Sequence, residues 1–322
     1  MSKIQLIDVP SEIGAGTRGA SLGFEALKVA CLNAESDFFK KYPALHVQDE
    51  NYALFNAVNT PFAKRIAHIQ KVYERIVSVV GETIEKNQFP LLLSGDHSTA
   101  GGTIAGLKLA HPDKTIGVVW IDAHADLHSP YTSPSGNVHG MPLATALAED
   151  NLPSRIPNRQ LSQEGERAWK AIQELGGISP KIEAENLVFF GVRDTETPED
   201  ELIERLGVKN YTVDEVRYRG LERCVNETTG SLSNCDMIYI SFDVDSMDSN
   251  LISHGTGTPV PYGFNREEVK SIMSMFIQTG KVAALEFVEI NPTLDEKCNL
   301  MAETAFSILE ELTEEITQQK SH

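Results

Sequence analysis

Short apolar runs rich in β-branched residues alternate along this chain with longer stretches whose apolar positions recur every three or four residues. The short runs predict strands at Ile4–Val9, Phe89–Leu93, Thr115–Ile121, Asn186–Phe190, Met237–Phe242 and Val282–Phe287. The longer stretches predict helices at Phe24–Leu32, Ala63–Lys86, Thr99–Leu109, Met141–Glu149, Pro198–Leu206, Arg266–Thr279 and Leu300–Thr317. Such alternation implies an α/β fold, a mostly parallel sheet covered by helices on both faces. Open sheets of this type bind ligands beyond the carboxyl ends of their strands.

No Gly/Ser linker, charge block or internal repeat divides the 322 residues, so the sequence reads as a single domain over 1–322, although length alone allows about two. The polar stretch from about Asp150 to Glu185 contains a helix-like run, Glu164–Leu175, and reads as an excursion from that domain. Near the C-terminus, Phe306, Leu309, Leu312 and Ile316 share one helical face, suited equally to core packing or to a subunit contact.

Hydrophobic residues make up 41% of the chain, an ordinary value for a soluble protein. No apolar run approaches the ~20 residues of a membrane helix. Met1–Val9 has the character of a strand rather than an export signal. Cys31, Cys224, Cys235 and Cys298 are scattered and form no CxxC pair; reduced thiols in a cytoplasmic protein are expected. A net charge of −18 argues against nucleic acid or anionic membrane as partners. It is compatible with a cationic small molecule, though acidic surfaces usually serve only solubility.

Chemistry collects at the strand ends. Asp122-Ala-His124-Ala-Asp126 directly follows the run ending at Ile121, and on extended backbone this spacing sends all three side chains to one side. Asp243 and Asp245 follow a second run, and Ser94-Gly-Asp96-His97-Ser98 follows a third. Two carboxylates ~4 Å apart repel by about 4 kcal/mol at an effective dielectric of ~20. Four brought together need protonation or cations. Two divalent ions would balance Asp122, Asp126, Asp243 and Asp245, with His97 and His124 as nitrogen ligands. This donor set suits Mn²⁺, with Zn²⁺, Fe²⁺ or Co²⁺ as competitors, and argues against structural zinc. Helix capping or loop binding would explain any one of these six residues alone, but not three clusters of them. Asp96 suits either the orientation of a ligand or a turn. Two metals sharing carboxylates imply a bridging hydroxide near neutral pH, and hence hydrolysis. His139 is a candidate proton carrier, and Glu289, ending another strand, can hold a cationic group.

Together, Gly95-Asp-His-Ser98, Asp122-Ala-His-Ala-Asp126, Ser135-Gly-Asn-Val-His-Gly140, Ser241-Phe-Asp-Val-Asp245, Gly257-Thr-Pro259 and Glu289-Ile-Asn-Pro292 resemble the arginase (ureohydrolase) family, in order and approximate spacing, from about residue 4 to residue 310. The resemblance implies a three-layer α/β/α fold with a central eight-stranded parallel sheet and two Mn²⁺ per subunit. One ion would take His97, Asp122, Asp126 and Asp243, and the other His124, Asp122, Asp243 and Asp245. It further implies that a metal-bridging hydroxide, oriented by Asp126, attacks the guanidinium carbon of L-arginine while Glu289 pairs with the guanidinium. His139 would pass a proton to the departing amine, giving ornithine and urea. The segment Leu127–Val138 resembles the family loop that receives the α-carboxylate, with His128, Ser133, Ser135 and Asn137 facing it. Asp194, Glu196 and Glu199 resemble the segment facing the α-amino group, and Thr258 belongs to the substrate set. Three positions depart from the family pattern: His128 replaces Asn, Ser133 replaces Thr, and Glu196 replaces Asp. The added methylene at Glu196 shifts a carboxylate by about 1 Å, enough to retune recognition.

Other readings are weaker. Gly14-Ala-Gly16-Thr-Arg-Gly19 matches the dinucleotide-binding pattern, but Pro10–Ile13 separates it from the strand. Asp49 also follows about 30 residues later, against the usual ~20. An NAD-dependent oxidoreductase is therefore disfavoured, and the segment instead resembles the family's N-terminal loop through Arg18-Gly19 and Gly23. A non-catalytic scaffold would be expected to lose a ligand, His139 or Glu289, and none is lost. Guanidinobutyrate, agmatine and formiminoglutamate are alternative substrates. Family members usually form trimers or hexamers, so a homo-oligomer is expected.

Overall fold

The computed structural model describes residues 4–319. Its strands are β1 (Ile4–Val9), β2 (Ala44–His46), β3 (Phe89–Ser94), β4 (Ile116–Ile121), β5 (Leu187–Phe190), β6 (Lys209–Tyr211), β7 (Met237–Asp243) and β8 (Val282–Val288). They form one sheet in the order β2-β1-β3-β8-β7-β4-β5-β6, and every pairing is parallel. The six strands expected from the apolar runs all form, with ends shifted by no more than a residue. The two missed, β2 and β6, are three-residue edge strands reading Ala-Leu-His and Lys-Asn-Tyr. Short, polar edges suit a position that must resist pairing with another chain, and for that reason they lack an apolar signature.

Side chains alternate between the two faces, as pleated backbone requires. On β4, Val119 and Ile121 enter one buried cluster, while Ile116, Val118 and Trp120 enter the other. Helices Gly23–Asn33, Leu221–Ser231, Arg266–Gln278 and Leu300–Gln319 contribute to the first cluster. Helices Ile66–Glu85, Ala100–Ala110, Pro142–Leu147 and Gln163–Gln173 contribute to the second. The result is three layers. Both faces of the central strands are dry, which is why those strands read as continuous apolar runs rather than alternating ones.

Two expectations are sharpened. The helical run near residue 164 is no detached excursion, because Trp169 and Ile172 are buried in the second cluster and the Trp169 indole donates to Asp150 at 2.7 Å. On the last helix, Phe306, Leu309, Leu312 and Ile316 are all buried, with Phe306 5.6 Å from Phe38, edge to face. That face belongs to the core. The helix Val213–Arg219 escaped notice because only Val213 and Val216 are buried on it. Its start was nonetheless written locally, since Thr212 accepts from the amide of Glu215 in the Thr-x-x-Glu pattern of an N-cap.

Parallel pairing places every carboxyl strand end on one edge. At the centre, β3 and β4 are separated by β8 and β7, so the loops after these four strands open onto one crevice. Among the described residues, no helix is long and apolar enough to cross a membrane. All four cysteines are free thiols.

If the last helix is core, Leu309→Ala should lower unfolding free energy by about 3 kcal/mol. Tyr218→Ala, at a side chain 92% exposed, should change it by less than about 0.5 kcal/mol. Urea unfolding of both variants checks the contrast.

Candidate active site

The loops after β3, β4 and β7 bring His97, Asp122, Asp126 and Asp243 together. The Nδ1 atom of His97 lies 3.1 Å from a carboxylate oxygen of each of the three aspartates. It is buried and has no partner in hydrogen-bond geometry. A proton on Nδ1 can serve one carboxylate, whereas a divalent ion among these four groups serves all of them. A second cluster adjoins the first. His124 Nδ1 is 3.0 Å from Asp245 and 3.5 Å from Asp122. Donor atoms of His97, Asp122 and Asp243, and separately those of Asp122, His124 and Asp245, lie within 4.8 Å of one another. Asp122 is shared between the two groups. Asp243 closes only the first, because its Oδ1 accepts from the amide of Asp245 at 2.8 Å.

The electrostatics are those of a cluster lacking countercharge. Burial and the neighbouring Asp122 raise Asp126 to a pKa of about 6. Burial, Asp245 and Asp122 push Asp243 well above the carboxylate range. Burial opposes charge on His97, yet the three aspartates outweigh it and raise its pKa well above the ordinary value. Backbone strain is stored here too: Asp126 has φ 51° and Glu289 φ 65°, a region costing a non-glycine residue about 1–3 kcal/mol.

Neighbouring side chains fix the donors. Trp120 on β4 and Ser241 on β7 are register partners. The His97 ring stacks on Trp120, with centroids 4.1 Å apart and planes 3° from parallel, and its Nε2 is 2.7 Å from the Ser241 hydroxyl. The Trp120 indole also donates to Asp122 Oδ2 at 2.9 Å. Thr258 donates to Asp245 Oδ2 at 3.0 Å. The Arg193 guanidinium donates to the carbonyls of Gly191, Asp245, Val260 and Pro261, tying the loop after β5 to the loop after β7. Asp96 accepts from the amides of Gly14 and Ser98, both at 2.9 Å; it holds a turn and the N-terminal loop. A Cβ on Gly14 would lie 2.5 Å from Asp96 Oδ1. The glycine-rich segment therefore packs over the loop that carries His97.

Glu289 and His139 meet directly. Glu289 Oε1 accepts from the His97 amide at 3.0 Å and contacts His139 Nδ1 at 3.2 Å, while Oε2 is buried without a partner. Burial works against charge on both groups, but their contact raises the imidazole's pKa and lowers the carboxylate's.

A cleft of about 270 Å³ opens from this centre and is lined by His97, His124, Asp126, Asp243 and His139 at its base. It is also lined by His128, Ser133, Ser135, Asn137, Asp194, Glu196, Glu199 and Thr258. Of the candidate ligand, catalytic and substrate residues named from the sequence, all line the cleft except Asp122, Asp245 and Glu289, which contact lining residues His97, His124 and His139. Asn137 Oδ1 accepts from Lys64 at 3.0 Å. His128 Nε2 lies 3.4 Å from both Glu196 and Glu199, and its Nδ1 is 3.1 Å from the Thr132 hydroxyl. Burial, with Arg159 adding to it, lowers His128 to about 4. Burial and Asp126 raise Glu199 to about 8. Sequence reasoning missed Trp120, Arg193 and Lys64, and assigned Ser241 no task; only the position of Trp120 and Ser241 on strands flanking the clusters hinted at a role.

Comparison with known proteins agrees with this geometry. The chain matches the arginase family over residues 2–314. It is 35% identical over 310 residues to the arginase of Bacillus subtilis, covering 96% of this chain and 97% of that protein. It is 32% identical over 297 residues to rat arginase-1, covering 90% and 85%. The crystal structure of arginase from Bacillus caldovelox superposes with a TM-score of 0.80 at 32% identity, covering 97% of this chain and 98% of that one. Sequence and fold agree over nearly the whole length: this chain is a hydrolase of the arginase family.

Proposed function

We propose that this protein is a manganese-dependent enzyme that hydrolyses the guanidinium group of L-arginine, giving L-ornithine and urea. One observation carries the reading: three buried aspartate oxygens converge at 3.1 Å on a histidine nitrogen that has no hydrogen-bond partner. His97, Asp122, Asp126 and Asp243 would hold one ion. His124, Asp122 and Asp245 would hold the other, with Asp243 as a further carboxylate donor. Mixed imidazole and carboxylate donors suit manganese. Two divalent ions, when bound, supply a water acidic enough to act as a nucleophile near neutral pH.

The remaining work belongs to the chain's own groups. Asp126, in its strained conformation, orients the attacking water by accepting a hydrogen bond. Glu289 Oε2, buried and unpartnered, accepts from a guanidinium N–H and turns the substrate carbon towards the water. His139 is held through Nδ1 by Glu289, which leaves Nε2 to deliver a proton to the departing amine. Ser133, Ser135 and Asn137 line the same cleft as Asp194, Glu196 and Glu199. A zwitterionic amino-acid end fits that pairing of hydroxyl and amide donors with carboxylates. His128 has both ring nitrogens engaged by the protein. Carboxylate binding therefore falls to the serines and Asn137.

Assayed with Mn²⁺ against arginine, agmatine, guanidinobutyrate and formiminoglutamate, the protein should turn over arginine fastest. Faster turnover of another compound would overturn the substrate assignment, and no turnover of any with metal bound would favour a scaffold. His128→Asn should change KM for arginine several-fold while kcat stays within about three-fold, the signature of altered ground-state binding. Asp243→Asn should cost more than the ~10–100-fold in metal affinity typical of losing an outer partner, and activity should fall with it; metal analysis and urea release check both.

A further inference from the structure

Glu286 is a buried carboxylate that plays no part in the reaction proposed above. It is 0% exposed and lies on β8 opposite Ser241 of β7 and Leu92 of β3. Three hydroxyls converge on it. Oε1 accepts from Ser94 at 2.6 Å and from Thr99 at 2.9 Å, and Oε2 accepts from Tyr239 at 2.7 Å. Among the described residues no lysine, arginine or histidine pairs with it, and a buried carboxylate without a cation is costly unless its lone pairs are well used.

The hydrogen bonds around Glu286 run in one direction. A carboxylate only accepts, so Tyr239 donates to Glu286. Tyr239 and Ser241, two residues apart on β7, share a face of the sheet, so the Tyr239 oxygen is placed to accept the Ser241 hydroxyl proton. With His97 holding an ion through Nδ1, its ring proton sits on Nε2 and donates to the Ser241 oxygen 2.7 Å away, and Ser241 turns its own proton towards Tyr239. The chain from Glu286 thus favours the His97 tautomer whose Nδ1 lone pair points to where Asp122, Asp126 and Asp243 converge. The same carboxylate also grips the two residues flanking the His97 loop, Ser94 before it and Thr99 after it.

We propose that Glu286, acting through Tyr239 and Ser241, is a positioning residue that aims and polarises His97 towards the metal ion it holds. This rests on the metal-dependent reading of the site. Glu286 touches neither substrate nor ion; it acts at the end of a three-link chain and on the loop that carries the ligand. The effect is specific to one of the two ions, because His124 has no such link to Glu286 among the described hydrogen bonds.

Manganese titration of the full-length protein, with free Mn²⁺ read by electron paramagnetic resonance, tests this. The wild type should bind two ions. Tyr239→Phe removes one hydroxyl at nearly constant volume and should weaken one ion by about 10-fold or more, leaving the other within about three-fold. Glu286→Gln keeps a carbonyl to accept from Tyr239 but loses the charge; it should weaken the same ion, by a smaller factor. A purely structural role would lower thermal stability and leave the two affinities equal to those of the wild type. If folded Tyr239→Phe binds both ions within three-fold of wild type, the proposal fails; should that variant not fold, Glu286→Gln decides by the same criterion. A wild type that binds no Mn²⁺ would overturn the metal reading itself, and with it this inference.

Discussion

The structure is organised around a concentration of buried negative charge at the base of a cleft. Asp122, Asp126, Asp243 and Asp245 are all buried, as are Glu289 and Glu286 behind them, and no lysine or arginine forms an ion pair with any of these six carboxylates among the described residues. The Arg193 guanidinium, which bonds the Asp245 carbonyl, donates to backbone carbonyls rather than to these carboxylates. Such a cluster persists only with protons or cations in it. Histidine nitrogens facing the carboxylates set where cations would sit.

The all-parallel sheet makes this concentration possible. It delivers the ends of β3, β8, β7 and β4 to one crevice, and helices bury both faces of those strands so that each end is rigid. Rigid ends allow strained backbone to be tolerated at Asp126 and Glu289, where it aims a carboxylate rather than wasting stability. The sheet also places Trp120, Ser241 and Glu286 in one cross-strand row, so the support for His97 comes from register rather than from sequence neighbours.

That distinction explains what the sequence revealed. The ligand motifs were legible because Asp122, His124 and Asp126 lie within five residues directly after an apolar strand; the chain bends there and Asp126 has φ 51°, so the loop rather than strand alternation brings them together. The central strands were legible because burial on both faces makes them uniformly apolar. Edge strands β2 and β6 were not, since an edge has reason to be short and polar. The stacking of His97 on Trp120 joins the loop after one strand to the next strand in the chain, which are not sheet neighbours, and the bond to Ser241 spans 144 residues. No local pattern encodes the contact of His128 with Glu196 and Glu199 either, although both ends of that contact stood out as departures from the family pattern. The C-terminal apolar face was ambiguous for a simpler reason: helical periodicity records that a face is buried, not what buries it.

The most direct test of the account is a crystal structure of Mn²⁺-loaded protein with anomalous scattering measured at the manganese edge. Two peaks are predicted per chain, one against His97 Nδ1 with Asp122, Asp126 and Asp243 around it, the other against His124 Nδ1 with Asp122 and Asp245. A single peak, or none between these residues at saturating Mn²⁺, would contradict the claim that the buried aspartates exist to hold a pair of ions.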